Sequence, residues 1–239
     1  MTMNLLVLDT ETSNLPDKGG QIMEIAWNNL EEVDGQWKPT FGHETYVQFT
    51  GVCSAVARAN HHIDPLQCSP ERGAITRENA IILLKRHIKE DTYCVAHNHI
   101  FDSKMLPELV VRWIDTMRIA KRLMPNAEAH TNQALRYELD IKLVWPPNST
   151  VKTRHPHQAM YDVATTTGIL IRMLAKYTPD ELFQICWGPM KVMPFGKHKG
   201  KTVEAARQED PGWFEWMNKQ KEVDPDMRVL LNSLGYSAP

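Results

Sequence analysis

Four consecutive aliphatic residues, Leu5-Leu6-Val7-Leu8, run directly into Asp9-Thr10-Glu11-Thr12 near the start of the chain. A short unbroken apolar run of this kind reads as a strand buried on both faces, which demands a sheet covered on either side. Strand side chains alternate with period two, so Asp9 and Glu11 project from the same face at its end. Two neighbouring acids repel each other, and close to a core they need a counter-charge, which for hard oxygen ligands is commonly Mg2+ or Mn2+. The same D-x-E spacing also occurs at exposed strand ends with both acids solvated, so the choice rests on what lies downstream.

The chain has 239 residues, 42% of them hydrophobic and 23% charged, enough for one main domain with a small appendage. The opening Met-Thr-Met-Asn has no basic residue, and the apolar run after it is too short to cross a bilayer, so no membrane association is expected. Cys53, Cys68, Cys94 and Cys186 form no C-x-x-C pair, which argues against a zinc site or a disulfide framework and favours a reducing cytoplasm. A net charge of −2 excludes no class of partner, because basic residues gathered at one site can still bind nucleic acid.

Residues 13–20 form a turn-rich loop with one isolated apolar residue, Leu15. Strands are expected at 21–27 and 44–49, with Asp34-Gly35 as a hairpin signal between them, giving an antiparallel meander. Thr76 suits the N-cap of a helix reaching about residue 89, and 93–96 reads as a returning strand that leads into His97-Asn98-His99-Ile100-Phe101-Asp102. Further on, a helix at 103–111, a strand at 113–116 and a helix at 117–124 precede a polar, turn-rich region at 146–156. The clearest helix covers 158–176, where Met160, Val163, Ala164, Thr167, Leu170, Ile171 and Leu174 recur at three- and four-residue spacing and Asp162 falls off the stripe. The pattern breaks at Gly188-Pro189, which divides the chain into 1–188 and 189–239.

Asp9 and Glu11, Asp102, and Asp162 with His157 five residues before it stand in order along the chain. A two-metal phosphodiesterase uses several carboxylates to hold two cations about 3.5–4 Å apart, and needs a base for the attacking water. Histidine, with an ordinary pKa of about 6.5, suits that role near neutrality. Taken singly, Asp102 also suits a helix N-cap, and His157 has a nearby competitor in His155.

Val-Leu-Asp-Thr-Glu-Thr at 7–12, Ala-His-Asn-His-Ile-Phe-Asp at 96–102 and His-Gln-Ala-Met-Tyr-Asp at 157–162 resemble the motifs of the DEDDh class of 3′→5′ exonucleases, the DnaQ-like superfamily. The resemblance implies an α/β fold, a ribonuclease-H-like mixed sheet flanked by helices, with Asp9, Glu11, Asp102 and Asp162 as metal-binding acids and His157 as general base. The tyrosine subclass carries its tyrosine four residues before the last acid, where this chain has Gln158. Residues 113–125 are similar to the D-T-x-x-x-A-R-x-x-x-P segment of the superfamily, and Met-Pro-Phe-Gly-Lys-His-Lys-Gly-Lys at 193–201 with 210–217 is similar to the C-terminal region of the exodeoxyribonuclease X family, a small α+β appendage. Asn14 stands where the first motif commonly has glycine; asparagine tolerates left-handed backbone, so the turn is expected to be kept. Ser103-Lys104 replaces a more basic pair after the second motif, a change that touches substrate affinity.

The implied activity is removal of nucleoside 5′-monophosphates from DNA 3′ ends, single-stranded or duplex, with two Mg2+ ions, Mn2+ being an acceptable substitute. The same motifs also suit an exoribonuclease, since they do not read the 2′-hydroxyl. Two further rivals are a binding module without turnover, against which the complete acid set and base speak, and a proofreading subunit docked on a polymerase, though the C-terminal region fits a free-standing enzyme better. Thr10, Thr12 and Asn98 are expected beside the substrate, and Leu15 to stack on or wedge beneath the terminal base. Lys197 and Lys199, in a Gly/Lys-rich turn with Lys191 and Lys201, could contact phosphates or belong to a solvated hairpin. His61, His62, His97 and His99 are expected to be hydrogen-bonded or exposed, Phe101 to pack behind Asp102, and Trp213, Phe214 and Trp216 to form the core of the C-terminal unit.

Overall fold

In the computed structural model, which describes residues 4–149, 155–193 and 196–237, the aliphatic run becomes strand β1 (Leu5–Thr12) at the centre of a five-stranded sheet. Its neighbours are β2 (Ile22–Val33), β3 (Gln36–Tyr46), β4 (Tyr93–Ala96) and β5 (Arg112–Asp115), in the order β3-β2-β1-β4-β5. The β1, β2 and β3 strands form the antiparallel meander, while β4 and β5 run parallel to β1. Leu5 and Val7 face one core and Leu6 and Leu8 the other, the two-sided burial that an unbroken apolar strand requires.

After α1 (Ala55–His61), the helix α2 (Arg77–Lys85) covers the Leu6 and Leu8 face, with Thr76 accepting from Asn79 N as its N-cap. The helix α3 (His99–Met105) starts earlier than expected, and Pro107, which disfavours helical backbone in the residue before it, explains its early end. The opposite face is covered by α4 (Thr116–Leu123), α5 (Asn132–Glu138), α6 (Ala159–Leu174) and α7 (Pro179–Trp187). Of these, α6 is buried almost all round rather than along one stripe, so Asp162, expected to face away from the packing, is buried as well.

Asp34 and Gly35 both take positive φ, 53° and 71°, as a two-residue hairpin turn requires. The third strand begins at Gln36 rather than 44, because β3 is an edge strand whose outer half is polar and includes Pro39, opposite a register shift at Asn29 and Leu30.

From Met190 onward a separate apolar cluster gathers Met190, Met193, Val203, Phe214, Met227 and Leu230, built on α8 (Val203–Glu209), α9 (Pro211–Asn218) and α10 (Pro225–Ser233). Its strand content among the described residues is one antiparallel bridge, Val192 to Thr202. Trp213 and Phe214 join this core, but Trp216 is 54% exposed, contrary to expectation. Two positions along a helix turn a side chain about 200° from Phe214, out of the packed face. The unit is fastened to α4 by Asp226, whose Oδ1 accepts from Arg118 Nε at 2.6 Å and Arg122 Nη2 at 2.9 Å.

Candidate active site

The C-terminal end of β1 carries Asp9 and Glu11 toward α6, while Thr10 points the other way and donates its hydroxyl to Asp102 Oδ1 at 2.8 Å. Asp102 is thereby tied from α3 to the strand that bears the first two acids. Its position is set further back by Asp115 at the end of β5. That buried carboxylate accepts from Asn98 N (3.2 Å), His99 N (3.0 Å) and His99 Nδ1 (2.9 Å), and also caps α4 through Met117 N and Arg118 N. Burial pushes the Asp115 carboxyl up, but the bonds from His99 and Arg118 N outweigh it and hold the group below its usual range. Asn98 makes the turn from β4 into α3 in left-handed backbone, φ 71°. Asp102 is thus inside the first turns of α3 and is not its cap.

The fourth acid arrives from α6. Asp162 accepts from His157 N at 2.8 Å and from the side-chain amides of Asn132 (3.4 Å) and Gln133 (3.3 Å). His157 has a φ of 64°, and its backbone bond to Asp162 fixes the turn that leads into the helix. Gln158 gives that helix no side-chain cap; instead Glu24 Oε2, from β2, accepts from Ala159 N at 2.9 Å.

The four carboxyls act on one another. Burial, then the charges of Asp102, Glu11, Asp162 and Glu24, push Asp9 well above the ordinary carboxylate range. Burial, then Asp162, Glu24 and Asp102, raise Glu11 to about 9. Asp102 rises to about 7 through burial, against the hydrogen bond from Thr10, and burial raises Asp162 against its bond from His157. Among the described residues no lysine or arginine pairs with any of the four. One ligand atom each of Glu11, His157 and Asp162 lies within 4.8 Å of the others. Hard oxygen donors with one imidazole and no protein counter-cation fit a hard divalent cation.

Asp9, Glu11, Asn98, His157 and Asp162 line a cleft of about 460 Å3. A second cleft of about 410 Å3 adjoins it, sharing Glu11 and His157 and walled by Leu15, Val56, Phe101 and His61. His157 therefore stands between the two, whereas His155 turns its Nδ1 to Pro156 O and its ring to His62. Leu15 is 48% exposed on the second cleft. Thr12 is buried and donates to Asn14 O at 2.8 Å, a bond internal to the turn. Asn14 does not take left-handed backbone; its side chain accepts from Leu15 N at 2.9 Å, and Gly19 supplies the positive φ instead.

Lys197 and Lys199 are not brought to the acids. Lys197 pairs with Asp210, and Lys199 Nζ donates to Ala127 O at 2.8 Å, so both amines hold the C-terminal unit together or to the body. His97 bonds Thr116 Oγ1 and His130 O, both at 2.9 Å, and burial lowers it to about 4, which leaves a neutral ring in the cleft wall. Sequence reasoning misses Glu24, Asn132 and Gln133. Glu24 had a signal: it is the one acid inside the apolar run Ile22-Met23-Glu24-Ile25-Ala26-Trp27, and the strand register sets it opposite Glu11. The two amides, which follow the capping residue Thr131, had none.

A mixed sheet whose central strand ends in two acids, met by a third from α3 and a fourth from α6, defines an exonuclease of the ribonuclease-H-like, DnaQ-like class. The zinc-bound complex of Escherichia coli Exonuclease I with single-stranded DNA shares this fold, with a TM-score of 0.56 over 76% of this chain and 42% of its own at 14% identity. Exonuclease X in complex with 5′ overhanging duplex DNA matches with a TM-score of 0.61 at 29% identity, over 76% of this chain and 99% of that one. Exodeoxyribonuclease 10 of Escherichia coli strain K12 is 31% identical over 232 residues, 95% of this chain and 96% of the relative. The chain belongs to the exodeoxyribonuclease X family. No family model matches it.

Proposed function

We propose that this protein is a 3′→5′ exodeoxyribonuclease that releases nucleoside 5′-monophosphates from DNA ends. The observation that carries the reading is the meeting of Asp9, Glu11, Asp102 and Asp162, from three separate segments, beside the imidazole of His157. Membership of the exodeoxyribonuclease X family supports DNA as the substrate. Asp9, Glu11, Asp102 and Asp162 would hold two Mg2+ ions, or Mn2+, which when bound supply the positive charge that acidifies a water and neutralises the reacting phosphate.

His157 takes the proton of the attacking water at an imidazole nitrogen. The water oxygen forms its bond to the last phosphorus as the bond to the 3′ oxygen breaks. The mononucleotide leaves with the phosphate, and the shortened strand takes a proton from solvent at its new 3′ hydroxyl. Asn132 and Gln133 keep Asp162 in one rotamer, and Thr10 does the same for Asp102, so the acids do not have to reorganise during the reaction. Leu15, on the neighbouring cleft, stacks on the terminal base, and Asn98 and Thr10 border the substrate.

Residues 1–188 form the exonuclease domain in this reading and 189–239 a second unit, a division supported by the separate apolar cluster. The cytoplasm is its proposed compartment, in keeping with four free cysteines; among the described residues no helix is long and apolar enough to cross a membrane.

Digestion of matched 3′- and 5′-labelled DNA strands tests the proposal. Stepwise shortening from the 3′ end that requires a divalent cation and vanishes in Asp162→Ala is expected. Faster shortening of a matched RNA strand would make it an exoribonuclease, and release of label from the 5′ end first would refute the polarity.

A further inference from the structure

Gln133 and Arg136 lie three positions apart on α5, a spacing that makes them neighbours on one face of the helix. That face meets α6. Gln133 uses both ends of its amide there: Nε2 donates to Asp162 Oδ1 at 3.3 Å and to Thr165 Oγ1 at 3.5 Å, and Oε1 accepts from Arg136 Nη1 at 3.3 Å. Arg136 is half-buried. Its Nη1 also donates to the hydroxyl of Tyr161, the residue before Asp162, and its Cζ stands 5.6 Å from the Tyr161 ring centroid and 5.0 Å from that of Tyr137.

A side-chain amide has one accepting and one donating end, so it can be placed two ways round. Turned over, Gln133 would set its oxygen against the Asp162 carboxylate and its NH2 against a guanidinium that only donates. Two repulsions would replace two hydrogen bonds. Asn132, the other amide on Asp162, has no such guide. Its Nδ2 donates to Asp162 Oδ1 at 3.4 Å and Thr166 Oγ1 at 3.2 Å, and its Oδ1 lies 3.4 Å from the same hydroxyl, which suits either placing because it both donates and accepts. The amide whose direction is dictated from behind by a donor-only group is therefore Gln133.

We infer that Arg136 is a positioning residue for the metal site: acting through Gln133, it fixes the amide that holds Asp162 in the rotamer that brings its carboxylate within 4.8 Å of Glu11 and His157. The inference rests on the exonuclease reading above, in which Asp162 is a metal-binding acid. The bond to Tyr161 has a second effect. It keeps the guanidinium one residue away from Asp162, where it orients the carboxylate without competing for it as a counter-ion.

The test is a calorimetric titration of Mn2+ alone into EDTA-stripped full-length protein, below each melting midpoint, with digestion of a labelled single DNA strand run in parallel. Arg136→Met and Gln133→Met are each expected to weaken Mn2+ binding about 3- to 10-fold, the effect of one hydrogen bond to a charged group, and to lower kcat more than they raise KM. The double variant is expected to bind no more weakly than Gln133→Met, because Arg136 then has nothing to act on. Arg136→Gln guards against a folding defect: it keeps a polar partner for Tyr161, yet is expected to show the same loss, since its own amide adapts to either placing of Gln133. Losses that add in the double variant, or wild-type Mn2+ affinity in either Arg136 variant, overturn the inference. Wild-type digestion of the strand leaves the exonuclease reading intact whichever way the variants fall, and a wild type that neither binds Mn2+ nor cuts DNA sinks both.

Discussion

Asp9 and Glu11 are held where their ionised forms are disfavoured, so the site stores repulsion in the metal-free protein. Folded Glu11 keeps its proton up to about 9, whereas an ordinary glutamic acid loses it near 4.5. The folded chain therefore binds more protons than the unfolded one between those values, and the stability this confers is full below the lower value and lost as pH rises toward the higher. Thermal melts in EDTA from pH 5 to 9 are expected to show a falling midpoint, and added Mg2+ to flatten the decline. Asp9→Asn is expected to raise the metal-free midpoint at pH 8 by about 2–4 °C while abolishing nuclease activity. A lower midpoint would mean that repulsion is not what raises these groups. The D-x-E pair was readable in the sequence because strand alternation puts both acids on one face. Glu24 was harder to read, since its task is defined by Ala159, far along the chain, which no local pattern indicates.

At the scale of elements, α6 depends on that contact. Its own N-cap residue contributes no side-chain bond, and it carries Asp162 in its first turn, directly after the His157 turn. Glu24→Ala removes the acceptor for a buried N–H, which costs about 1–3 kcal/mol, but also relieves some repulsion on Glu11. The lost bond outweighs a partly screened charge pair. The midpoint is expected to fall by about 2–6 °C, with kcat lowered more than KM is raised, and Glu24→Gln, which keeps an acceptor, milder on both. Full activity in the alanine variant would show that α6 is placed without it. The elements that sequence reasoning finds have strong local signals: the aliphatic β1, the Asp34-Gly35 turn, the Thr76 cap and the apolar spacing of α6. The α1 and α5 helices have seven residues each and bury one residue apiece, His61 and Leu135, too short a run for an apolar periodicity to show. Hydropathy also passes over α7, although Thr178 and Glu181 form a capping box legible in the sequence.

Over the whole molecule, the C-terminal unit is fastened by charge. Arg118 is buried, stacks on Trp187 with its Cζ 4.4 Å from the ring centroid, and shares Asp226 with Arg122; the two bonds to Asp226 join residues more than a hundred positions apart. The change of composition at Gly188-Pro189 is visible in the sequence, but this fastening is not, because a single aspartate after a proline looks like any helix start. Asp226→Ala leaves a buried guanidinium without its carboxylate, a loss of about 3 kcal/mol or more. The midpoint is expected to drop by about 6 °C or more while digestion of a single strand at low temperature persists, since the acids lie elsewhere. Loss of activity without loss of stability would mean that the unit takes part in the reaction itself. In the proposed reaction Asp102, tied by Thr10 behind the strand end, acts with the other three acids. The most direct test is the rate of mononucleotide release from a single-stranded DNA as Mg2+ is titrated back into EDTA-treated enzyme, wild type against Asp102→Asn. Saturable, metal-dependent release in the wild type and a loss of about a thousandfold or more in the variant are expected; release that survives EDTA, or a variant that keeps the wild-type rate, would contradict it.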